Sequence, residues 1–396
     1  MPSSTQAPNF ESQAFLKQHV QSTLDFYAPN AFDPLGGFFH YFLDDGSVYD
    51  RNHRHLVSAT RFVFNWCMAF AHDPQDRYRQ WAAHALAHLK SFRRPDGLHA
   101  WTLSGGEVED GSIMAYGQAF VLLAHSCAHR IGLSSAQAVR ATFDQMNHAF
   151  YSEADQAYAD EINSEGVLID YRGQNANMHM CEACLAAYES TADTVYLERA
   201  QSLIERFAFD LADKAGGLVW EHYRTDWSID WDYNRDNPGN IFKPWGFQTG
   251  HQTEWAKLLL ISHAHRPQQR YLDRAIALHQ AAYAHGWDQQ HGGLIYGFDP
   301  ERRPCDRDKY FWVQAESFAS AWRLWRATGE QVFRQQYHDT WAWSWEHLVD
   351  HHYGAWFRIV GPDGRKLETT KSPAGKTDYH TMGACWDVLH VGGVQA

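Results

Sequence analysis

Residues 213–223 read DKAGGLVWEHY, a turn with two glycines followed by an extended stretch rich in aromatic side chains. Similar segments recur along the chain as DPLGGFFHYF (33–42), RPDGLHAW (94–101), EADQAYAD (153–160), QQHGGLIYGF (289–298) and HHYGAWFRIV (351–360). Equivalent places are marked by Gly37, Gly97, Ala157, Gly217, Gly293 and Gly354, and these markers are spaced 60, 60, 60, 76 and 61 residues apart. A fixed period of this size is typical of a repeat architecture. The chain therefore consists of six units, and the fourth carries an insertion.

Each unit contains two windows in which apolar residues return every three or four positions, as in amphipathic helices. His55–Ala71 and Asp76–Phe92 are the two windows of the first unit, and Leu197, Ala200 and Leu203 have this spacing in the third. Two helices in each of six units predict about twelve helices. The short β-like pieces between them are expected to form hairpins on one rim.

The two ends of the chain distinguish an open solenoid from a closed ring. Open solenoids need polar terminal caps, whereas the last unit ends in the apolar helix pattern MGACWDVLHV (382–391). The first helix pattern, Phe15–Ala28, is suited to pack against it. We therefore predict an all-α fold, a closed (α/α)6 barrel of six helical hairpins, and a single domain over residues 1–396. Length alone would favour two or three domains.

Composition excludes several classes of partner. The chain has 34 basic and 47 acidic side chains, so its formal net charge is −13. An acidic chain with no basic run is poorly suited to a phosphate backbone or an anionic membrane. The longest apolar stretches, such as Ala119–Ala124, are too short to span a bilayer. We expect neither nucleic acid nor membrane as a partner.

The cysteines and the N-terminal sequence indicate the compartment. Six cysteines are scattered along the chain. Cys181 and Cys184 have the spacing of half a zinc site, but no second pair follows and their context is an alanine-rich helix pattern, which favours buried helix cysteines. The first ten residues, MPSSTQAPNF, contain no apolar signal region. These features predict a reduced cytoplasmic protein.

Several common catalytic motifs do not occur in the sequence. Neither GxGxxG nor GxxxxGK(S/T) follows a strand pattern, and GxSxG and HExxH are also missing. We therefore expect no nucleotide cofactor and no metal site.

Polar side chains lie near the start of the first helix after each turn. In a barrel of this kind that helix lines the inside, so polar residues of different units converge on one cavity. A single histidine at such a place is more often a cap or a core residue, but three at matching places favour a shared cavity. The residues concerned are Arg61, Tyr116, Gln118, His179, Glu182, His251, Glu254, Trp312, Glu316 and His380.

The spacing of these residues suggests acid–base chemistry. His251 and Glu254 are three residues apart and share one face of a helix, as do His179 and Glu182. A carboxylate beside an imidazole fixes its tautomer and holds its proton. Arg61 would be a fixed cation for an oxygen that gains negative charge. Candidate apolar walls of the cavity are Trp312, Tyr116, Phe38 and Trp386.

Three segments resemble signatures of the N-acylglucosamine 2-epimerase superfamily. They are YRGQNANMHMCEACLAAYE (171–189), DYNRDNPGNIFKPWGFQTGHQTEWAKLLL (232–260) and KTDYHTMGACW (376–386). The similarity runs from about residue 30 to about residue 390, and the combination of NxNMHxxEA with GHxxEW is specific. Within the superfamily the chain is most similar to the aldose–ketose isomerase branch, that of the bacterial D-mannose isomerases.

The resemblance implies a role for each matching residue. His380 resembles the histidine that moves a proton between C2 and C1 of the sugar, and His251, with Glu254 beside it, resembles the opposing acid/base. Arg61 matches the arginine that contacts the sugar near the reacting carbons. The candidate substrate-binding residues are His179, Asn175, Tyr116, Trp312, Glu316, Glu182 and Trp386.

The expected function is interconversion of D-mannose and D-fructose, with D-lyxose and D-xylulose as a further candidate pair. It would proceed by ring opening and histidine-mediated proton transfer through a cis-enediolate, without a metal or cofactor. A sugar 2-epimerase acting on mannose and glucose, cellobiose or N-acylglucosamine is the alternative. Sulfoquinovose isomerases have arginine-rich sequence where this chain has Gly239–Lys243, so a sulfonate would be poorly paired.

Two further hypotheses about function are compatible with the same barrel. A glycoside hydrolase needs two opposed carboxylates, for which Glu254 and Glu316 are candidates, but the histidines would then have no explanation. A non-catalytic sugar-binding protein is the other hypothesis.

The insertion, Arg224–Phe247, is expected to be a long ordered loop that serves as a lid or a dimer contact. The partner is a monosaccharide, and the protein is a monomer or a homodimer.

Overall fold

The computed structural model describes residues 8–392, which form the predicted all-α ring. The first helices are α1 (Gln13–Ala31), α2 (Leu56–His72), α3 (Asp76–His88), α4 (Ala115–Arg130), α5 (Ala136–Phe150) and α6 (Gln174–Thr191). The others are α7 (Thr194–Ile204), α8 (Thr249–His265), α9 (Gln269–Gly286), α10 (Phe311–Thr328), α11 (Gln331–His347) and α12 (Tyr379–Gly392). Helix α7 continues through a π-helical segment, Glu205–Leu211, and a last turn, Ala212–Lys214.

The described helices pack in two concentric rings. The inner ring runs α2, α4, α6, α8, α10, α12 and back to α2, with contacts between all neighbours. Each inner helix packs against an outer one, which is α3, α5, α7, α9, α11 and α1 in the same order. The N-terminal helix thus closes the ring against the last one, as predicted. Cys181 and Cys184 are buried on α6, also as predicted.

Short strands occupy the connections from each outer helix to the next inner one. The first nine are β1 (Tyr41–Leu43), β2 (Val48–Asp50), β3 (His53–His55), β4 (Thr102–Ser104), β5 (Glu107–Asp110), β6 (Ile113–Met114), β7 (Tyr151–Ser152), β8 (Ala157–Tyr158) and β9 (Glu161–Ile162). The others are β10 (Arg172–Gly173), β11 (His222–Tyr223), β12 (Phe247–Gln248), β13 (Gly297–Phe298), β14 (Pro304–Asp306), β15 (Lys309–Tyr310), β16 (Ile359–Val360) and β17 (Thr370–Ser372).

The strands form a second closed circuit at the rim where the inner helices begin. Each connection pairs antiparallel with the next through β3–β4, β6–β9, β10–β11, β12–β13, β15–β16 and β17–β1. Every pair satisfies backbone groups of two neighbouring units at once. The rim therefore fixes the register of each unit against the next, which in turn fixes where the inner helices begin.

Ion pairs hold three of the rim turns to the following strands. Asp33 accepts from Arg54, Asp288 accepts from Lys309 at 2.9 Å, and Asp350 accepts from Lys371. Each pair is 21 residues apart, so these are equivalent contacts in three units. The cations are buried, and a buried ion pair holds its geometry because breaking it leaves an uncompensated charge.

Two hydrogen bonds tie α1 into the ring. The Tyr27 hydroxyl donates to the buried Asp378 carboxylate at 2.7 Å, just before α12. The Trp356 indole N–H donates to Nε2 of His19 at 2.8 Å. Because an indole only donates, His19 must accept with an unprotonated Nε2. Burial lowers the pKa of His19 to about 4, in keeping with a neutral ring.

No helix among residues 8–392 is long and apolar enough to cross a membrane. The organisation of residues 1–396 as one domain stays a prediction.

Ring closure by His19 should appear in the pH dependence of stability. The His19 pKa in the folded protein, about 4, lies below the ordinary value of 6.5. The unfolded chain therefore takes up this proton first, and the free energy of unfolding should fall by up to about 3 kcal/mol as pH drops from 6.5 to 4. Urea denaturation across this range should give a flatter profile for His19→Gln than for the wild type.

The control is His53→Gln, because His53 is a surface residue whose pKa is raised by its hydrogen bond to Asp50. That variant should not flatten the profile. Equal slopes for His19→Gln and the wild type would contradict a neutral, ring-closing His19.

Candidate active site

A cavity opens at the strand-bearing rim, above the N-terminal ends of the inner helices. Eight of the eleven residues predicted for the site line it: Arg61, Tyr116, Asn175, His179, His251, Glu254, Trp312 and His380. The other three, Glu182, Glu316 and Trp386, do not line this cavity. They line a second cavity near the far ends of the inner helices.

Helical periodicity explains which side chains point inward. The second and sixth residues of an inner helix lie on one face, one turn apart. On α6 these residues are Asn175 and His179, and on α10 they are Trp312 and Glu316. Arg61 is the sixth residue of α2. The same two positions, on different inner helices, therefore supply seven of the eight predicted residues that line the cavity.

His380, the second residue of α12, is held between a carboxylate and a guanidinium. Its Nδ1 lies 2.7 Å from Oε1 of Glu316, and its Nε2 lies 3.1 Å from Nη2 of Arg61. Because a guanidinium only donates, Nε2 carries the lone pair and Nδ1 carries the proton. The second oxygen of Glu316 accepts from Lys257. Burial, followed by the Arg61 cation, lowers the pKa of His380 well below 6.5, so the ring is a neutral base.

His251 has a partner that the sequence analysis missed. Its Nδ1 lies 2.9 Å from both carboxylate oxygens of Glu221, which is 2% exposed. The predicted pairing with Glu254 is wrong: among the described residues, Glu254 makes no hydrogen bond to His251 or to any other group. Glu221 follows the fourth glycine turn, 30 residues before His251, so no helical spacing relates the two.

His179 and Glu182 form the pair that the spacing predicts. Nδ1 of His179 lies 2.9 Å from Oε2 of Glu182. The hydroxyl of Tyr379 donates to the other oxygen. Burial opposes ionisation of Glu182, but the hydrogen bond and charge of His179, the Lys257 ammonium and the Tyr379 hydroxyl together outweigh it, and the pKa of the carboxyl falls to about 2. Glu182 therefore orients His179 from behind rather than facing the cavity.

Glu254 is a buried carboxyl group with neither oxygen hydrogen-bonded within residues 8–392. Burial, followed by the nearby Glu316 carboxylate, raises its pKa well above 4.5. The nearest imidazole nitrogen is Nδ1 of His179, 3.9 Å from Oε1. A neutral carboxyl at this place has both a donor and an acceptor to offer to a bound molecule.

Arg61 lies between two aromatic rings at the base of the cavity. Its guanidinium carbon is 4.5 Å from the ring centre of Phe120 and 4.8 Å from that of Tyr379. Nη1 donates to the carbonyl oxygen of Gly375 at 2.5 Å, and Nη2 donates to the Tyr116 hydroxyl at 3.1 Å. Among the described residues Arg61 forms no ion pair with a carboxylate, so its charge is available to an anionic oxygen.

Trp312 lies beside two of the three histidines that line the cavity. Its ring centre lies 5.0 Å from that of His251 and 5.9 Å from that of His380. The predicted wall residue Trp386 lies elsewhere, stacked on His72 at 6.0 Å. Trp386 is six residues beyond His380 on α12, which is about 9 Å further along the helix. Its assignment to the cavity is therefore corrected.

Two other polar or aromatic candidates belong to the core. Phe38 stacks on Phe62 with ring centres 4.9 Å apart and does not line the cavity. The Gln118 side chain bonds the backbone of His99, accepting at 3.1 Å and donating at 2.8 Å. Asn177 holds the backbone of Tyr158 in the same manner. These amides fix the turns and take no part in the cavity.

The insertion reaches across the mouth of the cavity. Ile241, Phe242 and Pro244 line it. The Phe242 ring stacks parallel to His55 at 5.9 Å and packs edge-on against Trp101 at 5.8 Å. His55 belongs to the first unit and Trp101 to the second. A segment of the fourth unit thus covers the opening from the other side of the ring.

Two groups of side chains have atoms close enough to hold a metal ion. They are His179, Glu182 and Glu254, and Glu254, Glu316 and His380, with atoms within 4.8 Å of one another in each group. Both histidine Nδ1 atoms are already hydrogen-bonded, to Glu182 and to Glu316. Glu316 also accepts from a lysine ammonium, which disfavours a second cation. The independence of a metal stays a prediction.

Known proteins resemble the whole of this ring. The chain is 48% identical over 386 residues to a D-mannose isomerase of Marinomonas mediterranea, covering 96% of this chain and 98% of that protein. It is 33% identical over 272 residues to a D-mannose isomerase of Thermobifida fusca, covering 67% of each. A crystal structure of a D-mannose isomerase matches with a TM-score of 0.95 at 47% identity, over 97% of this chain and 100% of that one.

A family model described as N-acylglucosamine 2-epimerase (GlcNAc 2-epimerase) matches residues 37–384. The match spans the six repeat markers from Gly37 to Gly354 and the segments that supply His179, His251 and His380. The chain therefore belongs to the N-acylglucosamine 2-epimerase family.

Proposed function

We propose that the protein is an aldose–ketose isomerase that interconverts D-mannose and D-fructose. The observation that carries the proposal is a cavity with two histidines, His251 and His380, each held through Nδ1 by a carboxylate. The D-mannose isomerase that is 48% identical over 96% of this chain supports the choice of sugar. D-lyxose and D-xylulose are a further candidate pair, because they have the same configuration at the reacting carbons.

The reaction begins with the ring form of the aldose, which must open before C2 becomes acidic. Opening takes a proton from O1 and returns one to O5. His251 is suited to this exchange because the Glu221 carboxylate stabilises its protonated form, and Nε2 has no hydrogen-bond partner among the described residues. Glu254, as a neutral carboxyl, donates a hydrogen bond to a sugar oxygen beside His179.

His380 then moves the proton that defines the reaction. Its neutral Nε2 takes the C2 proton, and the electron pair of that C–H bond forms the C1–C2 double bond of a cis-enediolate while the carbonyl oxygen gains the charge. The hydroxyl proton on O2 then passes to the adjacent O1, which moves the charge to the oxygen at C2. The protonated ring returns its proton to C1, and the charge on the oxygen at C2 collapses to the ketone. Glu316 accepts the Nδ1–H bond throughout and stabilises the imidazolium.

Arg61 stabilises the enediolate. It reaches Nε2 of His380 at 3.1 Å, so an oxygen bound beside that nitrogen lies within reach of the guanidinium. The charge is present only after the C2 proton has left, so this interaction is stronger in the transition state than in the substrate complex. Tyr116 holds the guanidinium from the side, at 3.1 Å from Nη2.

The charges around the cavity favour an unsubstituted sugar. Lys376 pairs with Asp378, and Arg358 pairs with Glu368, so these two wall cations are neutralised by their own carboxylates. Lys243, in the segment where a sulfonate-binding enzyme would have arginines, lies 3.4 Å from Glu161. Among the described cations that line the cavity, a sulfonate or phosphate on the sugar would therefore find only Arg61 free of a carboxylate partner.

A glycoside hydrolase is disfavoured by the positions of the two candidate carboxylates. Glu316 binds His380 and Lys257 and does not line the cavity, so it cannot attack or activate water at a sugar carbon. Oxygens of Glu254 and Glu316 lie within 4.8 Å of each other, and of the two only Glu254 lines the cavity, so the pair does not flank a bound sugar.

A sugar 2-epimerase is the second candidate. His251 and His380 both line the cavity, and both lie against Trp312. If His380 removes the C2 proton and His251 delivers one to the opposite face of C2, the product is the epimer. The two outcomes differ only in where the proton returns.

Turnover of D-mannose should depend on His380. D-mannose should be converted to D-fructose in the presence of EDTA, and His380→Asn should lower kcat on the order of 10²–10⁴-fold because the proton carrier is lost. His390→Asn is the matched control, an exposed histidine on the same helix, and should retain activity. Chromatography of the products is the measurement. Full activity of His380→Asn would rule out the assignment of this residue.

The position of the returned proton separates the two candidates. In D₂O, a His380 that exchanges its proton with solvent before returning it should place deuterium at C1 of D-fructose, whereas delivery by His251 would place deuterium at C2 of D-glucose. Proton NMR of the products measures both. Deuterium found mainly in the C2 epimer would replace the isomerase by the epimerase.

The pH profile should report the state of His380. Since the pKa of His380 lies well below 6.5, the acid limb of kcat/KM that reports this group should also lie well below pH 6.5. Arg61→Gln removes a cation that disfavours protonation, so the limb should move to higher pH as well as the rate falling. Arg224→Gln, on the rim, should leave the limb in place. A limb that stays fixed in Arg61→Gln would show that Arg61 does not set the charge of His380.

A further inference from the structure

We propose that Glu221 is a positioning residue that fixes the tautomer of His251 and supplies the counter-charge for its protonated form. The inference rests on the proposed function in that His251 is assigned the proton exchange of ring opening. Glu221 lies outside the three segments that carry the family resemblance, and it reaches the site from the glycine turn of the fourth unit.

The contact has the geometry of a dedicated pair. Both carboxylate oxygens of Glu221 lie 2.9 Å from Nδ1 of His251, and the two side chains are 2% and 7% exposed. The backbone of Glu221 is fixed as well, because its carbonyl oxygen accepts from the Gln174 N–H at 3.1 Å next to the β10–β11 pair. The rim strands therefore set the position of the carboxylate relative to the helices that carry the cavity.

A chain of hydrogen bonds connects this pair to Trp255 on α8. The Gln174 side-chain amide donates to Oε2 of Glu221 at 2.9 Å, and its oxygen accepts from the Trp255 indole at 2.7 Å. Trp255 lies four residues after His251 on α8, so the chain of hydrogen bonds begins and ends on one face of this helix. Because an indole only donates, the orientation of the Gln174 amide is settled, and its nitrogen must point at Glu221.

The hydrogen bonds to Nδ1 of His251 determine which nitrogen of this ring is the acceptor toward the cavity. Nδ1 lies 2.8 Å from the Gln174 amide nitrogen as well as 2.9 Å from Glu221. With the carboxylate present, Nδ1 carries a proton and donates to Glu221, which leaves the lone pair on Nε2. Without the carboxylate, the Gln174 amide would donate to Nδ1, and the proton would move to Nε2. Glu221 thus selects the tautomer that can accept a proton from the sugar.

Glu221 also distinguishes His251 from His380. The carboxylate beside His380 is shared with Lys257, and Arg61 adds a second cation. Among the described residues no cation forms an ion pair with Glu221 other than His251 itself. The undivided charge of Glu221 is a counter-charge for the proton that His251 takes up during ring opening, whereas the cations beside His380 disfavour protonation of that ring. One cavity thereby holds two imidazoles of the same tautomer in different electrostatic surroundings.

The kinetic test is Glu221→Gln, which keeps the shape of the side chain and removes its charge. We expect kcat for D-mannose to fall at least about tenfold, with KM changed by less than about threefold, because the contact acts on a proton transfer and not on sugar binding. Trp255→Phe, which removes the donor to Gln174, should cause a smaller loss in kcat. Glu301→Gln, an exposed charge loss on the rim, is the control and should match the wild type.

The structural test does not depend on turnover. In protein labelled with ¹⁵N-histidine, the His251 signals are identified by their loss in His251→Asn. The wild type should show a protonated Nδ1 and an unprotonated Nε2, and Glu221→Met should show the reverse. An unchanged kcat in Glu221→Gln, or an unchanged tautomer in Glu221→Met, would overturn the positioning role. A wild type that leaves D-mannose unreacted would instead overturn the proposed function, and the tautomer measurement would still decide the role of Glu221.

Discussion

The candidate site depends on one constraint: each histidine that points into the ring of buried helices needs a hydrogen-bond partner inside the ring. Leaving a charge unpaired at such a depth costs several kcal/mol. His179, His251 and His380 satisfy the constraint in the same way, each donating from Nδ1 to a carboxylate. That bond leaves Nε2 as the reactive nitrogen, so the requirement for burial and the requirement for proton transfer are met by one contact.

The sequence predicts this arrangement as far as it is local. The 60-residue period and the helical spacing were enough for the ring, for the inner helices and for the pair of His179 with Glu182, because three residues along a helix always bring two side chains together. The partners of the other two histidines lie 30 and 64 residues away, in other units. No spacing rule relates positions across a ring, so Glu221 was missed and Glu316 was assigned to the substrate rather than to His380.

The remaining errors concern depth along a helix axis. Trp386 shares a signature segment with His380, yet six residues of helix carry it to the far cavity, where it lines a wall with Glu182 and Glu316. Helical periodicity gives the face of a residue, whereas its depth requires knowledge of where the helix begins. That beginning is set at the rim, by strand pairs only two or three residues long. Such short pairs leave almost no pattern in a sequence, and neither does the path of the insertion that brings Phe242 to His55.

The charge of the cavity connects these contacts to the chemistry. The chain carries a net charge of −13, but its cavity is balanced: Lys376 and Arg358 each have a carboxylate of their own, and only Arg61 among the described wall cations has none. A neutral sugar offers this one free cation no charge to pair with before the reaction begins. When the C2 proton leaves, one negative charge appears on oxygen, and one guanidinium is free to receive it. A cavity with more free cations would bind an anionic substrate in its ground state. That binding would stabilise the substrate as much as the transition state and would not accelerate the reaction. A single uncompensated arginine beside a neutral histidine directs the same attraction to the enediolate.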